Sequence, residues 1–180
     1  LASGSPTEAY EIFLEYRTNW HNERDWGQLE TILQLFKSHK AEAYIGLQLS
    51  DCWLKIQNGQ VIEMFEQLPT IEKNLLSDHL AVDVDYSLEG EFRVLTLYRL
   101  YNYDHDYTAS LNLCKNLHEL IPENHFMAIS YYWIFYGASL QVVRGTSQAS
   151  DVLSQGWDSS ENVLVRKNIW LIQCYIHYLG

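Results

Sequence analysis

Between Trp133 and Gly156 the chain sets large and small residues at fixed intervals: Trp133, Tyr136, Gly137 and Leu140, then Gly145, then Ala149, Leu153 and Gly156. At the helical period, Trp133, Tyr136 and Leu140 share one face of a first helix. Gly137 lets a second helix approach that face closely. Ala149 and Gly156 are small where the second helix crosses back, and Gly145 breaks the chain between the two. Such a pair cannot bury its apolar face alone. It needs neighbours of the same kind stacked against it.

These are the spacings of one tetratricopeptide (TPR) helix pair. A chain of 180 residues accommodates four to five such hairpins at about 40 residues each. Ala109 and Ala149 are 40 residues apart, as are Leu113 and Leu153, whereas Gly145 and Gly180 are 35 apart. Unequal offsets describe a degenerate array. The expected fold is all-α, a TPR-like helical-hairpin repeat superhelix of about eight to nine helices. It is read as a single α-solenoid domain over residues 1–180. The chain begins at Leu1 and stops directly after an apolar run, so it is expected to be a fragment of a larger protein.

Ser5-Pro6 with Glu8 predicts a helix start. Ala9, Ile12, Phe13, Tyr16 and Trp20 continue it at helical spacing, up to a turn at Asn22–Asp25. A second helix carries Trp26, Leu29, Ile32, Leu33 and Phe36 and ends near His39-Lys40. A third is expected from Ala41 to Gln57, stopped by Asn58-Gly59. Val61–Leu68 reads as a short helix interrupted by Pro69 and resumed over Thr70–Leu76. Val82, Val84, Tyr86 and Leu88 alternate like a strand, but a strand there has no partner. A helix beginning within His79–Glu89 and running to Tyr103 is the better reading. Asp106 caps a helix to Leu120, and helices at Phe126–Arg144, Ser147–Trp157 and Asn162–Leu179 complete the series.

Composition excludes several function classes. Hydrophobic residues make up 47% and aromatics 14%, which supports a packed core. The net charge is −11, and the basic residues are scattered singly apart from Arg166-Lys167. Phosphate binding needs a basic stripe, so direct nucleic-acid contact is not expected. No 18-residue run is continuously apolar, so no membrane span is expected. Three cysteines without paired spacing predict buried thiols in a reducing, cytoplasmic setting.

Catalytic and metal signatures do not emerge. His21, His39, His79, His105, His118, His125 and His177 form no His-Glu-x-x-His pair and flank no Cys-x-x-Cys. They read as surface or capping residues. Asp83, Asp85 and Ser87 lack the glycine and the terminal glutamate of a calcium loop. There is no nucleophile elbow and no phosphate loop. The expectation is therefore a non-enzyme with no cofactor and no metal site.

A groove remains. In TPR arrays the first helix of each hairpin lines the concave face. That register selects Tyr98, Tyr101 and Asn102 in one hairpin, Tyr131 and Gln141 in the next, and then Arg166, Gln173 and His177. Tyrosines beside amides and a guanidinium suit a peptide or sugar-like ligand, through stacking and hydrogen bonding. The competing reading is that the tyrosines pack between hairpins.

Several segments resemble a known family. Leu88-Glu89-Gly90-Glu91, the run Leu113–Asn124 with its Leu120-Ile121-Pro122-Glu123-Asn124-His125, Ala138–Gly145 and the ending Cys174–Gly180 are similar to the TPR-like region of large ATP-binding LuxR-type regulators. These are the MalT-like bacterial transcription activators. Gly59-Gln60, Glu63-Met64 and Leu68-Pro69 fit the same region, and the resemblance spans residues 20–180. The chain departs from the family in its many tyrosines and in Asp104-His105-Asp106, where a Gly-Asp turn is usual. The resemblance implies a sensor and interaction segment between a nucleotide-hydrolysing switch and a DNA-binding helix-turn-helix. Its implied partners are a protein or small-molecule effector, neighbouring domains, or a second copy of itself. The alternative is a stand-alone TPR adaptor for peptide segments.

Overall fold

Ser5 and Pro6 begin the first helix, as their residue types predict. In the computed structural model, which describes residues 5–41, 43–78 and 86–179, the Glu8 amide donates to Ser5 Oγ at 3.2 Å. The Ser5 amide donates to the Glu8 carboxylate at 3.1 Å. This reciprocal pair satisfies two donors that a helix start otherwise leaves open. Nine α-helices, and no strand, are present among the described residues: α1 (Pro6–Glu23), α2 (Trp26–Ser38), α3 (Ile45–Gln57), α4 (Val61–Asp78), α5 (Tyr86–Asn102), α6 (Tyr107–Leu113), α7 (Phe126–Arg144), α8 (Thr146–Ser159) and α9 (Val163–Leu179). A short 3-10 turn spans Leu117–Leu120. The chain divides into two compact units, Leu1–Phe92 and Arg93–Gly180, with the division inside α5.

In the first unit α1 packs on α2 and α3, α2 on α3, and α3 on α4. The α1–α2–α3 core gathers Phe13, Leu29, Phe36, Ala41 and Leu47. Tyr10 stacks on Tyr44 with ring centroids 4.2 Å apart, and its hydroxyl accepts from the Gly46 amide at 2.9 Å. A charged pair is buried in this unit as well. Arg17 grips Glu91 with two hydrogen bonds of 2.7 Å, and Trp53 Nε1 donates to the same carboxylate at 2.7 Å. Arg17 Nε donates to Ser50 Oγ at 3.0 Å. Every polar group in this hub therefore has a partner, which a buried ion pair requires.

Two sequence expectations for this unit are corrected. The third helix starts at Ile45, not Ala41. Lys40 adopts the left-handed conformation (φ 54°), and the Ala41 amide turns back to the Phe36 carbonyl at 3.0 Å. The second correction concerns Pro69, which lies inside a continuous α4. Proline removes one ladder donor and costs about 3 kcal/mol. Met64, Phe65, Leu68, Ile71 and Leu75 form a buried stripe running past it, and that stripe packs α4 on α3 as one piece.

In the second unit α6 packs on α7, and α7, α8 and α9 pack on one another in all three pairings. The glycines identified from the sequence lie in tight contacts between α7 and α8. A Cβ on Gly137 would meet Leu153 Cδ1 at 2.7 Å, and one on Gly156 would meet the Trp133 indole at 2.7 Å. Gly145 connects α7 to α8 by itself at φ 94°, ψ 170°, a conformation almost confined to glycine. Asp106 caps α6, accepting from the Ala109 amide at 2.8 Å. The expected single helix to Leu120 is corrected. It stops at Leu113, because Asn116 turns left-handed (φ 62°) before the 3-10 turn. Asparagine tolerates that conformation better than most residues, and the break delivers Leu117 to the core.

Cys52 and Cys114 are buried as expected, whereas Cys174 is exposed. His21 is fully buried and so departs from the surface or capping role expected of the histidines. His125 does cap α7, its Nδ1 accepting from the Ala128 amide at 3.3 Å. Among the described residues, α7 alone is long and apolar enough to cross a membrane by length and composition, and 61% of that stretch is buried within the chain. The alternating residues Val82 and Val84, together with His79, Asp83 and Asp85, lie outside the described residues.

Candidate functional site

Six of the eight residues selected by helical register fall into two groups in the second unit, and two join neither. Tyr98 and Tyr101 on α5 come together with Tyr131 on α7, and Phe135 lies at their centre. Ring centroids are 5.4 Å apart for Tyr98–Phe135, 5.4 Å for Tyr101–Phe135 and 6.0 Å for Tyr98–Tyr131. Tyr107 adds an edge contact to Tyr101 at 5.2 Å. These rings combine tilted and edge-on contacts, the geometry aromatic side chains prefer. Burial pushes the Tyr98 and Tyr101 phenols above their usual range, with Tyr175 and Tyr107 adding to the effect at Tyr101. Both hydroxyls therefore stay protonated at neutral pH and keep the ability to donate.

Asn102 does not join this group. Its side-chain amide donates to the Tyr98 carbonyl at 3.0 Å, finishing its own helix. Gln141 is also used structurally: its amide donates to the Ile176 carbonyl at 3.2 Å and ties α7 to α9.

The remaining three residues lie along the line where α9 meets α8. Gln173 donates to Ser154 Oγ at 3.3 Å, and His177 Nε2 lies 3.4 Å from Ser150 Oγ. Arg166 donates to the Ser160 carbonyl, and its guanidinium stands 5.5 Å from the Trp157 ring centroid. Beside them is a shallow groove of about 260 Å³ lined by Ser154, Trp157, Asp158, Trp170 and Gln173. Trp170 is 55% exposed. Two indoles flanked by a hydroxyl, a carboxylate and an amide can stack on a flat ligand and read its polar groups.

Phe135, Trp157 and Trp170 were not selected from the sequence. The signal for Trp170 is its phase: Val165, Ile169, Ile172 and Ile176 are the buried positions of α9, and Trp170 falls outside that stripe. An aromatic residue out of phase on an amphipathic helix marks a surface worth testing. Phe135 follows Tyr131 by one turn and shares its face.

Comparison of the chain with protein-family models, with curated proteins and with solved structures found no match.

Proposed function

We propose that the chain is a non-catalytic sensor and interaction module of TPR-like helical hairpins, the middle segment of a cytoplasmic MalT-like transcription regulator. The observation that carries this reading is the seating of α8 on α7. Gly137 lies under Leu153 and Gly156 under Trp133, and Ala149, one turn before Leu153, is fully buried. These are the small and large positions at which a TPR hairpin closes. The family-like segments over residues 88–180 support the narrower assignment.

In this reading the two aromatic surfaces of the second unit receive a peptide or sugar-like effector. Binding favours one packing of the hairpins over another and biases a neighbouring switch module. The acidic charge and scattered basic residues leave DNA contact to another part of the regulator.

A thermal-shift screen against oligosaccharides and short peptides tests it. Ligand at about ten times its Kd adds roughly 1.4 kcal/mol of stability, a rise of several degrees for a chain of this size. That rise is expected to vanish in Trp170→Ala or in Tyr98→Ala/Tyr131→Ala. No stabilisation by either ligand class would sink the sensor reading. Stabilisation by peptides alone would favour the stand-alone adaptor.

A further inference from the structure

The outward face of α9 is apolar where a surface helix is ordinarily polar. Val163, Trp170, Leu171, Tyr175 and Tyr178 are all exposed, from 49% at Leu171 to 88% at Tyr178. Among the described residues no other helix exposes as many large apolar side chains. Together they present on the order of 700 Å² on one helix. That is more than a monomer ordinarily leaves in one patch, and close to the roughly 800 Å² that each side of a standard interface covers. Cys174 is exposed on the same face, beside Lys167 and His177.

Two features select what covers it. The first is that the face complements itself. Lys167, Trp170, Leu171, Cys174, Tyr175 and Tyr178 follow one another at the three-and-four spacing through which packed helices interdigitate. When a second α9 lies antiparallel, with the two-fold axis between Leu171 and Cys174, Trp170 faces Tyr175 of the other copy. Leu171 then faces Cys174, and Lys167 faces Tyr178. Each contact occurs twice, as a two-fold interface requires. The second feature is charge. The chain has 23 acidic residues, and none lies on α9, which carries Arg166 and Lys167. Two copies of a chain with a net charge of −11 therefore repel one another least along this helix. The antiparallel arrangement also brings Lys167, near the positive end of its own helix, to the negative last turn of the other.

We propose that α9 is a self-association surface, through which two copies of the chain pair antiparallel about an axis between Leu171 and Cys174. The apolar side chains supply the contact area, and the absence of carboxylates makes this the helix along which two acidic chains can meet. Trp170 also borders the groove between α8 and α9, but the pairing goes beyond the sensor reading and stands whether or not an effector binds there.

The test follows sedimentation of the full chain from about 2 to about 500 µM, where a monomer–dimer equilibrium with a Kd below about 100 µM is expected. Leu171→Glu/Tyr178→Glu should weaken pairing by about tenfold or more, and Leu35→Glu/Ile62→Glu in the first unit by less than about twofold. All four positions are exposed, and urea midpoints compare the folding of each variant with that of the parent. A short bismaleimide should join Cys174, the one exposed cysteine, to its counterpart in the dimer. In Cys174→Ser/Val163→Cys it should not, because antiparallel copies hold those positions on the order of 30 Å apart. A chain that stays monomeric at the highest concentration would overturn the proposal and leave the face to a different partner. Equal weakening by the two double variants would move the interface off α9. Equal cross-linking of the two proteins would remove the antiparallel arrangement.

Discussion

Three helices of the first unit share a buried charged pair, whereas in the second unit α7 and α8 meet across glycines. Arg17, Ser50, Trp53 and Glu91 join three helices through four hydrogen bonds whose geometry admits one arrangement. In the second unit, Gly137 and Gly156 let a leucine and an indole sit directly on backbone. A buried side-chain pair, Ser110 to Ser139 at 2.6 Å, adds direction between α6 and α7. The first device depends on every polar partner being present. The second depends on volume, so small errors in shape raise the cost gradually.

The comparison breaks most sharply at Glu91. Replacing it by alanine strands a buried guanidinium and should cost about 3–5 kcal/mol in urea unfolding. Arg17→Met/Glu91→Leu removes both charges and should cost clearly less than Glu91→Ala. If the double change costs more, stranding Trp53 Nε1 and Ser50 outweighs the relief of removing both charges.

The glycine contacts should respond less. Gly156→Ala is expected to lose about 1–3 kcal/mol. Gly137→Ala should lose less, because Leu153 can change rotamer whereas the Trp133 indole is rigid. Gly27→Ala is the control: nothing lies within 4 Å of its added methyl, so it should be neutral or gain up to about 1 kcal/mol. Equal gains at all three positions would mean that backbone flexibility, not close approach, sets the response. Smaller again, Ser139→Ala should cost about 1 kcal/mol by leaving Ser110 without its partner.

Alkaline pH should weaken both units, since each buries one thiol, and the second unit more, since burial also raises its Tyr98 and Tyr101 phenols. Burial pushes Cys52, with Asp51 adding to the effect, and Cys114 to about 12. In the unfolded chain a thiol ionises near about 8.5. Between those values the unfolded state has lost a proton that the folded state keeps, so stability falls as pH rises from about 9 towards 12. Cys52→Ala and Cys114→Ala should each flatten the decline in urea midpoints measured from pH 8 to 10.5. At pH 8 a thiol reagent should label Cys174 in the native protein and reach the other two only on unfolding.

Features that depend on nearby residues were legible in the sequence. Ser5, Asp106 and Gly145 each act within a few positions of themselves, and the helices they start or end lie close to where residue type places them. Gly137 and Gly156 were legible because small residues at helical spacing opposite Leu153 and Trp133 suggest a closely packed helix pair. The start of α3, the continuity of α4 through Pro69 and the break at Asn116 were not. Each is decided by how the segment packs, which overrides local propensity. The Arg17–Glu91 pair, 74 residues apart, was invisible for a related reason: charged residues ordinarily read as surface. At the candidate site, register alone placed Tyr98, Tyr101 and Tyr131 together. It did not show that Gln141, Gln173 and His177 already have hydrogen-bonding partners on neighbouring helices.

The one-residue connection at Gly145 also bears on the order of folding. Joining α7 to α8 closes a loop of minimal length, so little chain entropy opposes their meeting. Glu91 must instead find Arg17 across most of the first unit. Local contacts form faster than distant ones, which makes the α7–α8 hairpin the expected nucleus of its unit. Mutations at Gly145 and Gly156 should then slow refolding. Mutations at Glu91, whose contacts form late, should chiefly accelerate unfolding.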